Sequence, residues 1–374
     1  MQNFKAGRYV SQGSYRSFLP EEINRIWCLD DMEIIELLSR ADRHLGRLDM
    51  YSEYIPNIDL FISMHVLKEA NHSSKIEGTK TNIEEVLQER EELVVERRND
   101  WDEVNNYTKA LNAAIDSLRK LPLSSRLIRQ THEILLQDVR GKYKTPGAFR
   151  RSQNWIGGTS PSDATFIPPP HDEVPRLMSD LEKFAHNEDL KLPDLIKIAI
   201  LHYQFETIHP FLDGNGRVGR LLITLYLVEK EILKKPVLYL SDFFERNRRL
   251  YYENLMGVRT DNNLRQWLKF FLVGVIETAK DSCHTLDSIL KLQKDTDEKL
   301  QSLGARTQGA REVVNYLYKQ PLIDAQRVAR VTELSPPSSY TLLKKLEQLG
   351  ILREITGAKR RKQYLFQAYV DLFQ

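Results

Sequence analysis

A chain of 374 residues, 28% of them charged and 41% hydrophobic, has the length for two to three domains and a balance that excludes disorder throughout. Its net charge is only +2, and its longest strongly apolar stretch, residues 221–228, falls far short of the roughly 20 residues that span a bilayer, so no membrane partner is expected. Cys28 and Cys283 stand far apart without C-x-x-C spacing, which argues against a disulfide framework or a cysteine-based zinc site.

The first twenty residues hold no apolar run before a small-residue cleavage site, so the expected location is cytoplasmic. The pattern that follows is mainly all-α. Residues 31–48 place Ile34, Ile35, Leu37, Leu38, Ala41, Leu45 and Leu48 on one helical stripe. A second helix over 60–77 stops at Gly78, a residue that enters the left-handed conformation at little cost. Further helices are expected over 101–121, 127–139, 174–187, 192–208, 217–230, 246–259 and 264–281. The exception is 147–170, where Arg150, Arg151, Trp155 and Ile156 lead into Gly157-Gly158, then Phe166-Ile167 and three prolines. That composition predicts a short hairpin, an edge or flap rather than part of a large sheet. Residues 279–300 carry Leu286, Ile289 and Leu290 on a helical period and read as a connecting helix, with a boundary near Ser302-Leu303-Gly304. The last 69 residues hold 12 Lys and Arg against 6 Asp and Glu, and the first 305 hold 42 against 46. The near-neutral total therefore combines a basic C-terminal module with a mildly acidic body.

One segment of the body carries chemistry: His209-Pro210-Phe211-Leu212-Asp213-Gly214-Asn215-Gly216-Arg217-Val218-Gly219-Arg220. Pro210 disfavours helix at the residue before it, so His209 sits where one apolar helix ends, and a second begins near Arg217. A Gly214-Asn215-Gly216 loop feeding a helix N-terminus exposes unpaired backbone N–H groups at the positive end of a helix dipole, a ready anion site. Arg217 and Arg220 share one face of the first turn and oppose that dipole by roughly 0.3–1 kcal/mol each, which suggests a bound polyanion. Asp213 would repel phosphate unless a hard divalent cation such as Mg²⁺ bridged them, so it reads as a metal ligand. His209 titrates near neutrality and is the candidate general base. Together these groups describe nucleotidyl or phosphoryl transfer.

Each feature has a plainer explanation when taken singly. A His before Pro is most often a cap or core residue, Gly-Asn-Gly is most often a turn, and an Arg pair is usually a solvated face. Their coincidence within twelve residues at one helix junction outweighs those explanations. A metal-dependent hydrolase built on His202, His209 and Asp213 is a distant alternative, because the histidines stand seven apart and only one carboxylate joins them.

HPFLDGNGRVGR resembles the signature of the Fic family, whose members usually transfer AMP from ATP to a Ser, Thr or Tyr hydroxyl of a target protein. The resemblance extends through EANHSSKIEGT, TPGAFR, the flap with IGG and PPP, and HYQFETIHPF. With the patterns above, it gives an N-terminal helical region with an inhibitory helix over 1–105, a catalytic core over 106–280, a connecting helix or linker over 281–305 and a winged helix-turn-helix over 306–374. It further implies that His209 deprotonates the target hydroxyl, that Asp213 holds Mg²⁺ on the α- and β-phosphates, and that Asn215 with the amides of Gly214 and Gly216 orients the α-phosphate. Arg217 and Arg220 would bind the outer phosphates of ATP. Gly216, where a phosphotransferring branch carries Lys, favours adenylyl transfer. Tyr251 and Tyr252 resemble a tyrosine pair lining the adenine pocket, with Arg259 near a position that some members fill with Asn. Trp155, Ile156, Gly157 and Gly158 would form the flap that aligns a target segment by strand addition.

Ser73-Ser74-Lys75-Ile76-Glu77-Gly78 resembles the family's inhibitory Ser/Thr-x-x-x-Glu-Gly/Asn motif, in which the Glu pairs with the second motif arginine, here Arg220. A carboxylate at a helix C-terminus is disfavoured by the dipole, so Glu77 needs a cation, and Ser73 lies one turn before it on the same face. Such a pair would occupy the γ-phosphate position and turn ATP away from a productive pose. The same fold removes AMP in some members, so deAMPylation stays open. In the C-terminal module, helices over 308–319, 324–332 and 336–349 precede strands over 351–355 and 363–366, an order that resembles a winged helix-turn-helix. Its basic tip over 356–362, with Ser338, Ser339, Tyr340 and Lys344, makes DNA a candidate partner beside ATP and the target protein. A second copy of the chain is another. A DNA-binding regulator whose Fic domain senses nucleotide is the alternative to the enzyme.

Overall fold

Residues 195–208 are buried on every side, as a helix without a polar face must be, and they set the centre of the computed structural model, which describes residues 4–55, 57–357 and 361–373. Strands β1 (Gly7–Ser11) and β2 (Arg16–Pro20) form an antiparallel hairpin at the start of the chain. Helices α1 (Met32–Tyr54), α2 (Asp59–Ile76), α3 (Ile83–Leu87), α4 (Val95–Leu118) and α5 (Ser125–Leu135) follow. After a long loop come α6 (Val174–His186), α7 (Asp194–Ile208), α8 (Asn215–Glu229), α9 (Ser241–Arg246), α10 (Arg248–Asp261) and α11 (Leu264–Gln301). The last unit comprises α12 (Thr307–Lys319), β3 (Leu322–Asp324), α13 (Ala325–Thr332), α14 (Pro336–Gln348), β4 (Arg353–Glu354) and β5 (Gln363–Leu365), its three strands antiparallel in the order β3-β5-β4. The mainly helical class expected of the sequence is the one observed. Among the described residues no helix is long and apolar enough to cross a membrane.

Local chemistry explains the framing helices. Asp31 caps α1 by accepting hydrogen bonds from the N–H groups of Glu33 and Ile34. The buried stripe of α1 is Ile34, Leu38, Ala41, Leu45 and Leu48, lying along α11, whereas Ile35, expected on that stripe, is 40% exposed one position round the helix. Gly78 adopts φ +104° and closes α2, with Glu77 as its C-terminal cap residue.

Several expectations change. The β1–β2 hairpin was not expected; its signal, Tyr9-Val10 and Phe18-Leu19 about Gly13, is short, and the hairpin is held by docking. Phe18 is buried near Phe166, and its N–H donates to the Ile167 carbonyl at 2.9 Å. The flap over 147–170 contains a single antiparallel bridge, Ile156 to Phe166, with no extended ladder. α8 begins at Asn215, two residues before the expected start, because Gly214 takes the left-handed conformation and caps it. The connecting helix is continuous with α11, since its apolar stripe never breaks. β3, too short to register as a strand pattern, completes the C-terminal sheet. Residues 358–360 of the basic tip lie outside the described residues.

The C-terminal unit is seated on α2. Phe61 meets Tyr318 edge-on at 5.2 Å between ring centres, His65 meets Phe373 at 5.0 Å, and Ser63 Oγ donates to the Lys319 carbonyl at 3.1 Å.

Candidate active site at the α7–α8 junction

His209 ends α7 with φ +50° and ψ +61°, a conformation that costs a residue with a Cβ roughly 1–2 kcal/mol. Arg150, buried beneath it, supplies the restraint. Its backbone N–H donates to Pro210 O at 2.9 Å, Nε to His209 O at 2.9 Å, and Nη2 to Pro169 O at 2.6 Å and Ile208 O at 3.3 Å. Asn154 Nδ2 adds bonds to His209 O at 3.2 Å and Phe211 O at 2.8 Å. The flap segment thereby grips the turn that carries the candidate base. Arg150→Ala would leave several buried carbonyls unpaired, and it is expected to lower stability by about 3 kcal/mol or more, read as a shift in the urea midpoint.

The loop that follows is braced from α5. His132 Nε2 lies 2.9 Å from the Asp213 carbonyl, and because a carbonyl only accepts, that nitrogen carries the proton while Nδ1 accepts from the Gly147 N–H at 2.9 Å. The His132 ring lies flat on Phe211 at 3.7 Å. Asp213 Oδ1 accepts from the Gly214 N–H at 2.6 Å, and Oδ2 faces Gly141, where any side chain would collide with it. Asn215 departs from its expected role. Its Oδ1 accepts from the Phe211 N–H at 2.8 Å and its Nδ2 donates to the Phe211 carbonyl at 2.9 Å, so its side chain shapes the loop and does not reach into it.

The two arginines have separate partners. Arg220 Nε donates to Ser73 Oγ at 2.9 Å, and Nη2 donates to the Ser73 carbonyl at 2.9 Å and to Glu77 Oε1 at 2.6 Å. Its Nη1 is buried without a partner. Gly216 makes room for this contact, since a methyl there would strike Glu77 Oε1. Burial alone would raise the Glu77 carboxyl, but the charge and hydrogen bond of Arg220 outweigh it and hold Glu77 below its ordinary range. Arg217, expected on the outer phosphates, is instead enclosed: Nη1 donates to Glu103 Oε2 of α4 at 2.9 Å, and Nη2 stands 3.5 Å from Asp213 Oδ1. No local signal marks Glu103 for this role.

The half-buried His209 ring presents a buried Nδ1 with no hydrogen-bond partner. Burial, then the Arg150 and Arg259 guanidiniums, push His209 down to about 3, so the ring is neutral and able to accept a proton. Burial likewise pushes His65 and His202 down to about 3 and His132 to about 4. An unfolded histidine protonates near pH 6.5. The stability these four neutral rings supply is therefore complete above pH 6.5 and lost as pH falls towards their folded values. Glu206, raised to about 7 by burial, works the other way, as do Asp42, Glu69, Glu103 and Asp180, which burial also raises; His44 and His72, lowered by burial, side with the four rings, and among the described residues the lowered histidines outnumber the raised acids six to five. The urea midpoint is expected to fall between pH 7 and pH 5.

Tyr251, expected at the adenine pocket, is buried against Phe244 at 4.6 Å, and its O–H bonds His202 Nε2 at 2.9 Å. His202 Nδ1 donates to the Gly219 carbonyl at 2.9 Å, so both ring nitrogens are committed and the hydrolase alternative loses a ligand. Tyr252, 40% exposed, is the member of the pair that reaches solvent, with the Arg248 guanidinium 6.0 Å from its ring centre. Arg259 is buried as well, bonded to Thr207 Oγ1 at 3.1 Å and lying 3.8 Å over the Phe166 ring, where it supports the flap from below. In the flap, Gly157 and Gly158 have φ of +71° and +70° and turn the chain, while Trp155 is 38% exposed beside Ile156. Ile156 donates its N–H to the Phe166 carbonyl at 2.8 Å, and its own carbonyl accepts from the N–H groups of Phe166 and Thr165, so its backbone is committed within the flap.

The models of the Fic/DOC family N-terminal region and of the Fic/DOC family match residues 35–116 and 122–227, together about half of the chain. The chain belongs to the Fic family. A probable protein adenylyltransferase of Aquifex aeolicus (strain VF5) is 32% identical over 177 residues, 47% of this chain and 52% of that protein. A protein adenylyltransferase Fic of Aedes aegypti is 27% identical over 209 residues, 53% of this chain and 38% of that protein. This Fic chain thus spans about half or less of the length of these relatives. Among solved structures, a Fic family protein from Desulfovibrio desulfuricans G20 superposes with a TM-score of 0.57 at 19% identity, covering 91% of this chain and 98% of the other. Fic-1 from C. elegans superposes at 0.53 with 18% identity, covering 70% and 74%. At such identities the likeness is one of Fic fold.

Proposed function

We propose that this protein transfers AMP from ATP to a hydroxyl side chain of a target protein, releases pyrophosphate, and is held in check by Glu77. The observation that carries this reading is the Glu77–Arg220 contact: a buried arginine beside an anion-binding helix end, closed by the protein's own carboxylate. The names of the Aquifex and Aedes relatives support the same chemistry.

In this reading His209 takes the proton of the incoming hydroxyl, whose oxygen attacks the α-phosphorus while the bond to the bridging oxygen breaks and pyrophosphate leaves. The N–H groups at the start of α8 and the unpartnered Nη1 of Arg220 face the negative charge that develops. That charge also offsets Arg150 and Arg259, which makes His209 a better base once nucleotide is bound. Asp213 suits Mg²⁺: it is an exposed-edge carboxylate whose Oδ2 accepts no hydrogen bond among the described residues. When bound there, the ion would be held by Asp213 and would offset the negative charge of the phosphates. Tyr252 offers an exposed ring to adenine, and the flap from Trp155 to Gly158 is the segment that would align a target strand.

Intact-mass analysis of the wild type and Glu77→Gly with ATP and Mg²⁺ tests the reading. An AMP adduct on the variant or on an added protein substrate supports it, and no transfer by either overturns it. Loss of AMP from a pre-labelled protein that requires Glu77 would instead mark the removal reaction. A second reading, DNA binding, draws on α14, where Ser338, Tyr340, Thr341 and Lys344 are exposed and Ser339 is buried. Salt-sensitive binding to duplex DNA checks it.

A further inference from the structure

We infer that Glu103 is a positioning residue for the nucleotide and its cation, because it draws Arg217 into a tight pair of its own, limits Arg217 to a weak contact with Asp213 Oδ1, and so leaves the Asp213 charge to the cation; this rests on reading Asp213 as the group that faces Mg²⁺ and ATP. The Arg217 guanidinium stands between two carboxylates. It is committed to Glu103 at 2.9 Å and remains 3.5 Å from Asp213. Both members of the Arg217–Glu103 pair are 2% exposed, whereas the Asp213 side chain is 33% exposed. A buried guanidinium stripped of its partner is strongly disfavoured and moves to whatever counter-charge is in reach. Here that counter-charge is Asp213, and a shift of under an ångström would close a tight pair on Oδ1.

The other side of Glu103 is tied down too. Arg140 Nε lies 3.5 Å from its Oε1, and Arg140 precedes Gly141, the residue against whose bare Cα the Asp213 Oδ2 rests. One carboxylate, 114 positions before Arg217 in the chain, thus pairs with two arginines, one facing Asp213 Oδ1 and the other preceding the glycine beside Oδ2. Arg217 acts in this arrangement as a cation whose location must be controlled, and Glu103 controls it.

The test uses the full chain carrying Glu77→Gly and measures, by calorimetry, the affinity for Mg²⁺ with α,β-methylene-ATP, a nucleotide that cannot release pyrophosphate. Glu103→Gln is expected to weaken that affinity by about tenfold, the usual scale for loss of a residue that orients a metal ligand. In turnover the same variant should raise KM for MgATP by more than it lowers kcat. Adding Arg217→Met to Glu103→Gln should return affinity towards the parent, because the cation that closes on Asp213 is gone. Glu103→Asp, which keeps the charge, should bind more tightly than Glu103→Gln. Unchanged affinity in Glu103→Gln, a loss that Arg217→Met deepens, or a Glu103→Asp variant as weak as Glu103→Gln overturns the inference. If the parent binds the nucleotide but transfers no AMP, the proposed reaction fails while the affinity comparison still judges Glu103.

Discussion

Glu77→Gly is expected to raise AMP transfer from ATP by about tenfold or more. A charge-assisted hydrogen bond contributes roughly 1.5–3 kcal/mol, and each 1.4 kcal/mol is tenfold in an equilibrium constant. The Glu77–Arg220 bond at 2.6 Å must break, or its carboxylate must move, before a phosphate can take that guanidinium. The backbone asks little of the substitution. Glu77 is a cap residue with φ −85° and ψ −1°, followed by a glycine that already turns the chain, so α2 ends at the same place. Ser73 would keep its two bonds to Arg220, and the arginine would stay aimed at the helix end. Radiolabel incorporation from α-labelled ATP measures the effect, and equal labelling by wild type and variant would mean that this carboxylate is not a brake.

His209→Ala, placed in that released background, is expected to remove transfer by 10²–10⁴-fold, the scale of a lost general base. The fold should survive, because Arg150 and Asn154 hold the turn through the carbonyls of Ile208, His209, Pro210 and Phe211, which alanine retains. Nucleotide affinity should therefore change little while kcat collapses. A His209 pushed down to about 3 also predicts that kcat/KM shows no titration near pH 6.5 in the free enzyme. An acid limb centred there would place the essential proton elsewhere.

The site was legible where its residues are contiguous or repeat a local motif. His209, Asp213 and Arg220 stand within twelve positions, and the contact of Glu77 with Arg220 was expected only from the resemblance of its segment to the inhibitory motif. Their supports were not legible. Nothing in 95–118 says that Glu103, rather than Glu96 or Asp102, faces α8; only the packing of α4 against α8 decides it. Arg150 and His132 are ordinary residues in sequence and become braces through contacts 59 and 81 positions away. Adjacent tyrosines on a helix point different ways, and only the fold shows that Tyr251 is the one turned to the core, where its O–H meets His202. Fold class followed from helical periodicity, whereas the β1–β2 hairpin depends on a flap more than a hundred residues later.

The unbroken course of α11 bears on where this chain can be divided. By sequence, 281–305 looks like a place to cut. At about 1.5 Å per residue the 38-residue helix runs about 57 Å in all; near its start the Trp267 indole bonds the Ala199 carbonyl in α7, and near its end Leu300 is buried. Leu286 and Ile289, midway along it, are fully buried. Cleavage there would bare the apolar flank that Leu286 and Ile289 now bury, so fragments cut within 281–301 are expected to aggregate, which their elution in size-exclusion chromatography would show.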